Sequence, residues 1–560
     1  MAHDVDAIVI GAGLSGLVAA REMFLGGKQT LVLDQESEQN LGGQAWWSFG
    51  GLFLVDSPEQ RRLGVKDSFA LAWQDWKGSA AWDRLAGKHP EDEWAAKWGR
   101  AYVEWAAGEK RSWLDQVGIK LTPVVGWAER GDLSPTGHGN SVPRFHVPWG
   151  TGTGVVGPFI DALHEAVAAG KTEVRYRHRV EEIIIEDGRV AGVRGSVLAA
   201  DNCARGEASN NTVVDDFELR AANVIVASGG IGGNHELIRK YWPERLGKPP
   251  RKMLTGVPEY VDGRMLDVAA AAGSRLVNRD RMWHYTEGVK NWDPVWPGHA
   301  IRILPGPSPL WLDALGRRLP APGLPGHDTL STLRMLRTDP AIADYDHSWF
   351  IVSSTVAAKE FALSGSEQNP DITNHDRKLL LKTRLGKGVP APVQAFIDWS
   401  EDWVSANTVT ELVAKMNALT DEDLLDADSV HRVIGARDNE FVNPFAKDAQ
   451  AMSVHNSRRY IGDKLSRTTK PHRLLDPEHG PLIAIKMYMI TRKSLGGIQT
   501  DLHSRALDSS GSVIPGLYAV GEAAGFGGGG VHGYNALEGT FLGGCLFSGR
   551  AAGRAVVADG

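Results

Sequence analysis

The chain has 560 residues, 23% charged and 42% hydrophobic, with a formal net charge of −7, which excludes a disordered chain, gives no reason to expect nucleic acid as a partner, and calls for two or more lobes. Its two cysteines, Cys203 and Cys545, lie far apart and outside any metal-ligand spacing, which excludes a disulfide scaffold and argues against an iron–sulfur cluster. No apolar run is long enough to span a bilayer and no signal-like segment precedes Val5, so the expected location is the cytoplasm.

Val5 to Ile10 is a short, mostly apolar and β-branched run that reads as a buried parallel strand. Gly11, Gly13 and Gly16 follow at G-x-G-x-x-G spacing, Leu14, Leu17 and Val18 recur at helical period, and a second strand from Thr30 to Leu33 ends in Asp34. Each part suits dinucleotide binding. Gly11 makes a tight turn, Gly13 leaves no Cβ against a pyrophosphate, and Gly16 lets helix and strand pack closely. The helix N-terminus offers N–H groups to phosphates, and the acid at the second strand's end accepts hydrogen bonds from a ribose.

From Leu41 to Gly51, two glycine pairs bracket Trp46 and Trp47, as backbone lying against a flat polar ligand requires. Residues 58–127 read as helical, with Trp94, Trp98, Tyr102 and Trp105 on one face and Trp113 continuing the pattern. A core-facing stripe explains them better than an aromatic cage. Gly131 to Gly154 reads as loop, Phe159 to Ala168 as helix, and 174–180, 183–185 and 190–193 as strands with a turn at Asp187-Gly188. Val224 opens another apolar strand that runs into glycines.

From Arg281 to about 345 the periodicity is poor, and helical segments follow near 390–417 and 421–434. Glycine-rich texture returns at Ser494 to Gly497, Ile514 to Ala524 and Gly527 to Gly544. Residues 1–282 and 466–560 are therefore expected to close into one nucleotide-binding domain, with 283–465 inserted as a second lobe.

Gly11-Ala-Gly-Leu-Ser-Gly16, the Gly42–Gly51 loop, Ala227-Ser-Gly-Gly230, and above all Ile514 to Glu522 with Gly530-Val-His-Gly-Tyr-Asn-Ala-Leu-Glu-Gly539 resemble the fumarate reductase and 3-ketosteroid dehydrogenase group of flavoproteins. The resemblance covers residues 1 to about 280 and 480 to 560. It implies an α/β fold: a doubly wound, Rossmann-like FAD-binding domain with an inserted α+β capping domain.

It also implies FAD, with Gly11, Ala12, Gly13, Leu14, Ser15 and Gly16 around the phosphates and Asp34 and Gln35 at the adenosine ribose. Gly42, Gly43, Gln44, Ser48, Gly50 and Gly51 would lie along the flavin. Val180, Ala227, Ser228 and Gly229 would complete the wall, and Gly521 and Glu522 would meet ribityl or ribose hydroxyls. Asn535, Ala536 and Leu537, at a helix start, would aim N–H groups at the flavin's N1–O2 edge. The 42–51 loop holds no histidine, so non-covalent FAD is expected, and the single dinucleotide fingerprint gives no reason to expect an NAD(P)H site.

The chain departs from fumarate reductases where those grip a dicarboxylate. Ala536 stands at an arginine position, Lys493 and Ser494 where a histidine precedes the late Gly-Gly, and Pro305 at the proton-delivering arginine, with Arg302 three residues early. Without bidentate arginines, two buried carboxylates are not offset. The family chemistry left is 1,2-dehydrogenation beside a carbonyl, or the reverse enone reduction, on an apolar ketone such as a ketosteroid-like ring, with hydride passing to flavin N5 and an unidentified quinone or dye-like acceptor.

Candidate acid, base or electrophile residues are Tyr488, Tyr534, His532, Arg302 and Lys493, with Tyr285 from the cap side. Each has a structural alternative: a core strand residue for Tyr488, backbone shaping for His532 and Tyr534, solvated charge for Arg302 and Lys493. The other functional reading is a flavoprotein subunit like those of succinate dehydrogenase, dependent on a separate electron-transfer partner. A flavoprotein acting on RNA fits poorly with an acidic chain.

Overall fold

A computed structural model describes residues 4–131, 139–386 and 388–559, so 132–138 of the expected Gly131–Gly154 loop lie outside the described residues. The first sheet runs, edge inward, Arg505–Leu507, Val513–Ala519, Val213–Val226, Val5–Ile10, Thr30–Leu33, Thr172–Arg175. All pairs are parallel except the one at the 505–507 edge. Residues 7–10 and 30–33 are buried on both faces, as the continuous apolar runs required. The helix Leu14–Leu25 packs between Thr151–Ala168 and the C-terminal Thr540–Ala558.

The hairpin His178–Glu186 and Arg189–Leu198 turns at Asp187 and Gly188, both at positive φ (51° and 76°), as a two-residue turn demands. Two expectations shift. The helix begins at Thr151 instead of Phe159, because its glycines serve close approach. A Cβ on Gly152 would stand 2.2 Å from the Ala45 carbonyl oxygen, and one on Gly154 1.9 Å from that of Trp149. The region 58–127 breaks into helices Pro58–Arg62, Phe69–Ala80, Glu93–Ala107 and Lys110–Gln116 and a strand, Leu121–Gly126. Of the expected stripe, Trp98, Tyr102, Trp105 and Trp113 are buried together, and Trp98 Nε1 donates to the Asp501 carbonyl at 2.9 Å, whereas Trp94 is half-buried under Lys97 outside this core.

The second sheet is built on the long strand Leu482–Ser494, flanked antiparallel by His347–Ser353 and Met282–Lys290 and extended by Leu310–Leu312, Ala300–Leu304 and Ala362–Leu363. Trp403–Ala406 also pairs with it, which interrupts the helix expected over 390–417. With helices such as Val409–Asn417 and Ala427–Phe441 packed on it, this is the α+β capping lobe. Both long strands pass between two cores. Met282, Trp283, Tyr285 and Tyr488–Ile490 belong to the first, Val289 and Leu482–Met487 to the second. No helix among the described residues is long and apolar enough to cross a membrane.

Candidate active site

A cavity of ≈ 730 Å³ runs from the C-terminal ends of the parallel strands to the capping sheet. This is the switch-point crevice where open α/β sheets take ligands, at a size within the ~300–1,000 Å³ of small-molecule sites. Gly11 (φ +104°), Gly13, Leu14 and Ser15 line it. Gly16 and Ala12 act from behind. A Cβ on Gly16 would meet the Gly11 carbonyl oxygen at 2.1 Å, and Ala12 N–H donates to Asp34 Oδ2 at 2.7 Å.

Asp34 lines this end, but backbone already engages both its oxygens: Oδ1 accepts the Glu36 N–H at 2.8 Å. Burial raises its pKa against those two bonds. Glu36 lines the same end, and its Oε2 is buried without a hydrogen-bond partner. Arg177 Nη1 stands 3.8 Å from that oxygen, too far for a hydrogen bond, so Oε2 keeps acceptor capacity that a ribose hydroxyl would satisfy. Asp34 and Glu36 thus both stand at this end, Asp34 with its carboxylate folded back on the turn.

Gln35, Gly42, Gly43, Gln44, Ser48, Gly50, Gly51, Val180, Ala227, Ser228, Gly229 and Glu522 all line the cavity. Glu522 is held by the Ser494 N–H (2.9 Å) and the Gln44 amide (3.1 Å). Gly521 does not line it: its N–H donates to Ser548 Oγ at 2.9 Å, and a Cβ there would stand 2.5 Å from Ser15 Oγ. Asn535, Ala536 and Leu537 do not stand at the helix start expected for them. Gly539 adopts the left-handed conformation (φ +89°) as N-cap, the helix starts at Thr540, and Glu538 and Gly539 face the cavity instead.

At the cap end four side chains meet. The Tyr285 hydroxyl donates to Glu538 Oε1 at 2.8 Å and accepts from Lys493 Nζ at 3.2 Å. The Arg302 guanidinium lies 3.6 Å over the Tyr285 ring and donates to Glu538 at 3.0 Å. Burial and the neighbouring Glu538 push the Tyr285 pKa up. Burial works against the Glu538 carboxylate, yet Arg302 and Lys493 hold it below its ordinary value. Lys493 is drawn down to about 8 by burial, with Glu538 opposing. Glu129, also lining the cavity, has φ +50°, lies 3.8 Å from Arg302 and keeps a buried Oε2 without a partner; burial and Glu538 push its pKa up.

Arg302 and Lys493 are therefore wall residues, not solvated charges. Tyr488, His532 and Tyr534 do not line the cavity. Tyr488 lies under Lys252 (4.6 Å), Lys486 (5.6 Å) and Lys290 (6.0 Å) on the capping strand. His532 stacks behind the cavity-lining Phe526, its pKa lowered to about 3 by burial and Lys493, so it is neutral. Tyr534 donates to Asp83 and packs under Arg281 at 4.2 Å.

The premise of a site without arginines is also corrected. Arg302 and Arg492 line the cavity, as does Pro305. Arg302, however, is committed to Glu538 (3.0 Å), Glu287 (3.5 Å) and Glu129 (3.8 Å), so a dicarboxylate would face carboxylates already in place. No pattern in the sequence marked Glu36 or Glu129. The only signal was Glu538 inside the late motif.

A KsdD-like steroid dehydrogenase of Mycobacterium tuberculosis (strain CDC 1551 / Oshkosh) is 56% identical over 99% of this chain and 96% of its own length. A fumarate reductase (cytochrome) of Shewanella frigidimarina is 24% identical over 98% and 77%. Among solved structures, a 3-ketosteroid delta1-dehydrogenase from Sterolibacterium denitrificans in complex with 1,4-androstadiene-3,17-dione superposes with a TM-score of 0.66 at 16% identity, covering 99% of this chain and 100% of that one. That likeness is one of fold. With the FAD binding domain family matching residues 6–542 around this cavity, the chain belongs to that family and is an FAD-dependent oxidoreductase.

Proposed function

We propose that the cavity dehydrogenates the carbon–carbon bond next to the carbonyl of a ketosteroid-like substrate, or reduces the corresponding enone. The carrying observation is the Tyr285 hydroxyl fixed between Glu538 and Lys493 on a mostly apolar wall. When bound, FAD supplies the hydride acceptor or donor.

The protein handles the proton and the carbonyl. Lys493 Nζ gives one hydrogen bond to Tyr285 and lies 4.0 Å over the Phe541 ring, which leaves N–H capacity to polarise a carbonyl. In the dehydrogenase direction Tyr285 passes its hydroxyl proton to Glu538 and takes the proton from the carbon next to the carbonyl; the enone reduction runs this relay backward. Arg302 keeps Glu538 ionised and oriented. The match at 56% identity to a KsdD-like steroid dehydrogenase supports the substrate class.

The test is anaerobic. Saturated 3-ketosteroids are expected to bleach the flavin band and succinate to leave it unchanged; the opposite pattern would overturn the reading. We also propose that FAD is non-covalent, the acceptor a quinone or dye-like molecule, and the location the cytoplasm, where two free cysteines are at home. Yellow colour staying with denatured protein would refute the first of these.

Glu36 provides a further prediction. Removing a hydrogen bond to a charged acceptor costs about 1.5–3 kcal/mol, so Glu36→Ala is expected to weaken FAD binding by ~10–100-fold in a fluorescence titration of apoprotein. Unchanged affinity would return the ribose to Asp34.

A further inference from the structure

The cavity's outer rim is built from three adjacent elements: the strand Leu121–Gly126 and the helices Arg377–Leu385 and Ile461–Ser466. Each sends apolar side chains into water: Leu381 is 60% exposed, Leu465 54%, Ile461 51% and Val124 41%. All four line the mouth of the one large cavity. Exposed aliphatics that cluster in this way mark a surface made for a partner.

Beside them positive charges outnumber negative ones: Arg377, Lys378, Lys382 and Lys464 are exposed, against the exposed carboxylate of Asp376. Lys378 and Lys382 on the first helix and Lys464 on the second are exposed, and none has an ion-pair partner among the described residues. The acids on these two helices are occupied. Asp376 caps the first by accepting the Lys378 and Leu379 N–H groups, and Asp463 is buried against Arg130 at 2.7 Å. The chain as a whole carries −7, so a cationic, leucine-bearing rim runs against its overall balance.

We propose that this rim docks on an anionic lipid bilayer. Leu381, Ile461 and Leu465 enter the headgroup–acyl boundary while Lys378, Lys382 and Lys464 meet lipid phosphates, the division of labour of an interfacial amphipathic surface. The cavity mouth then opens onto the apolar phase. Docking stands apart from the reaction assigned above, because its test measures no turnover.

Full-length, FAD-loaded protein is mixed with phosphatidylcholine vesicles with and without phosphatidylglycerol and sedimented. Binding is expected with phosphatidylglycerol, roughly tenfold weaker without it, and weakened by salt. Lys378→Glu with Lys382→Glu, and separately Leu381→Ser with Leu465→Ser, are each expected to lower partitioning at least ~10-fold, with FAD content unchanged. Equal binding to both vesicle types, or none, overturns the proposal even if the variants fail to fold. A dimer in gel filtration that the serine pair dissolves would identify a second copy as the occupant and also overturn it.

Discussion

Tyr285→Phe is expected to slow flavin reduction by saturated ketone by ~10²–10⁴-fold, the range for loss of a positioned proton-transfer group. FAD content should stay at wild-type level, because the Tyr285 hydroxyl contacts Glu538 and Lys493 and none of the glycine turns. The change removes one oxygen from a relay and leaves the ring under Arg302, so packing is kept. Tyr488→Phe is the matched control: its ring sits among lysines away from the cavity, and its rate is expected within about twofold of wild type. Stopped-flow absorbance under anaerobic conditions reads both. A wild-type rate in Tyr285→Phe would remove it from the mechanism, and a large loss in Tyr488→Phe would restore the residue that the geometry sets aside.

Lys493→Met should also lower the rate by ~10²–10³-fold, as loss of one preorganised donor at a carbonyl does. It carries a pH signature as well. With a pKa near 8, wild-type Lys493 loses its charge as pH rises through about 8, and the rate should fall over the same interval. In the methionine variant that alkaline limb should disappear.

Unfolding does not explain such a limb. Burial depresses the folded-state pKa below the ordinary 10.5, so the unfolded chain binds more protons between about 8 and 10.5, and this group's contribution to stability grows across that window. A profile that keeps its alkaline fall in Lys493→Met would assign the titration to another group.

Much of the flavin-binding half was legible because its signals are local. Gly11 and Gly16 stand where turn and packing exclude a Cβ, while Gly13 keeps the cavity wall open, and such limits are written at fixed spacing. The family resemblance pointed to Gln44, Gly50, Gly229 and Glu522, which all line the cavity. Local reading failed where a glycine had a second use. Gly152 and Gly154 read as loop, yet they lie inside a helix that rests directly on the 43–48 backbone.

The chemistry at the cap end was hidden for another reason. Tyr285 lies 253 residues from Glu538 and 208 from Lys493. Tyr488 sits in an apolar strand run, whereas Tyr285 sits in the mixed stretch Met282-Trp-His-Tyr-Thr-Glu287, so the sequence singled out neither as the cavity residue. Cross-strand register decides between them: Gly288 pairs with Tyr488 and Trp283 with Lys493, which sends Lys493 toward Tyr285 and Tyr488 toward the outer lysines. Register of apolar strands is set by burial across the whole sheet and by irregularities such as the shifts between Trp283 and Gly288.

By itself the sequence determined the dinucleotide fold, the family resemblance and most of the residues that line the cavity near the glycine turn, because strand period and turn glycines act within a few residues. Only the tertiary structure decided that Glu36 lines the cavity beside Asp34, and that Tyr285, Lys493, Glu538 and Arg302 form one hydrogen-bonded cluster. Those contacts arise from folding segments hundreds of residues apart onto one cavity, and no local spacing encodes them.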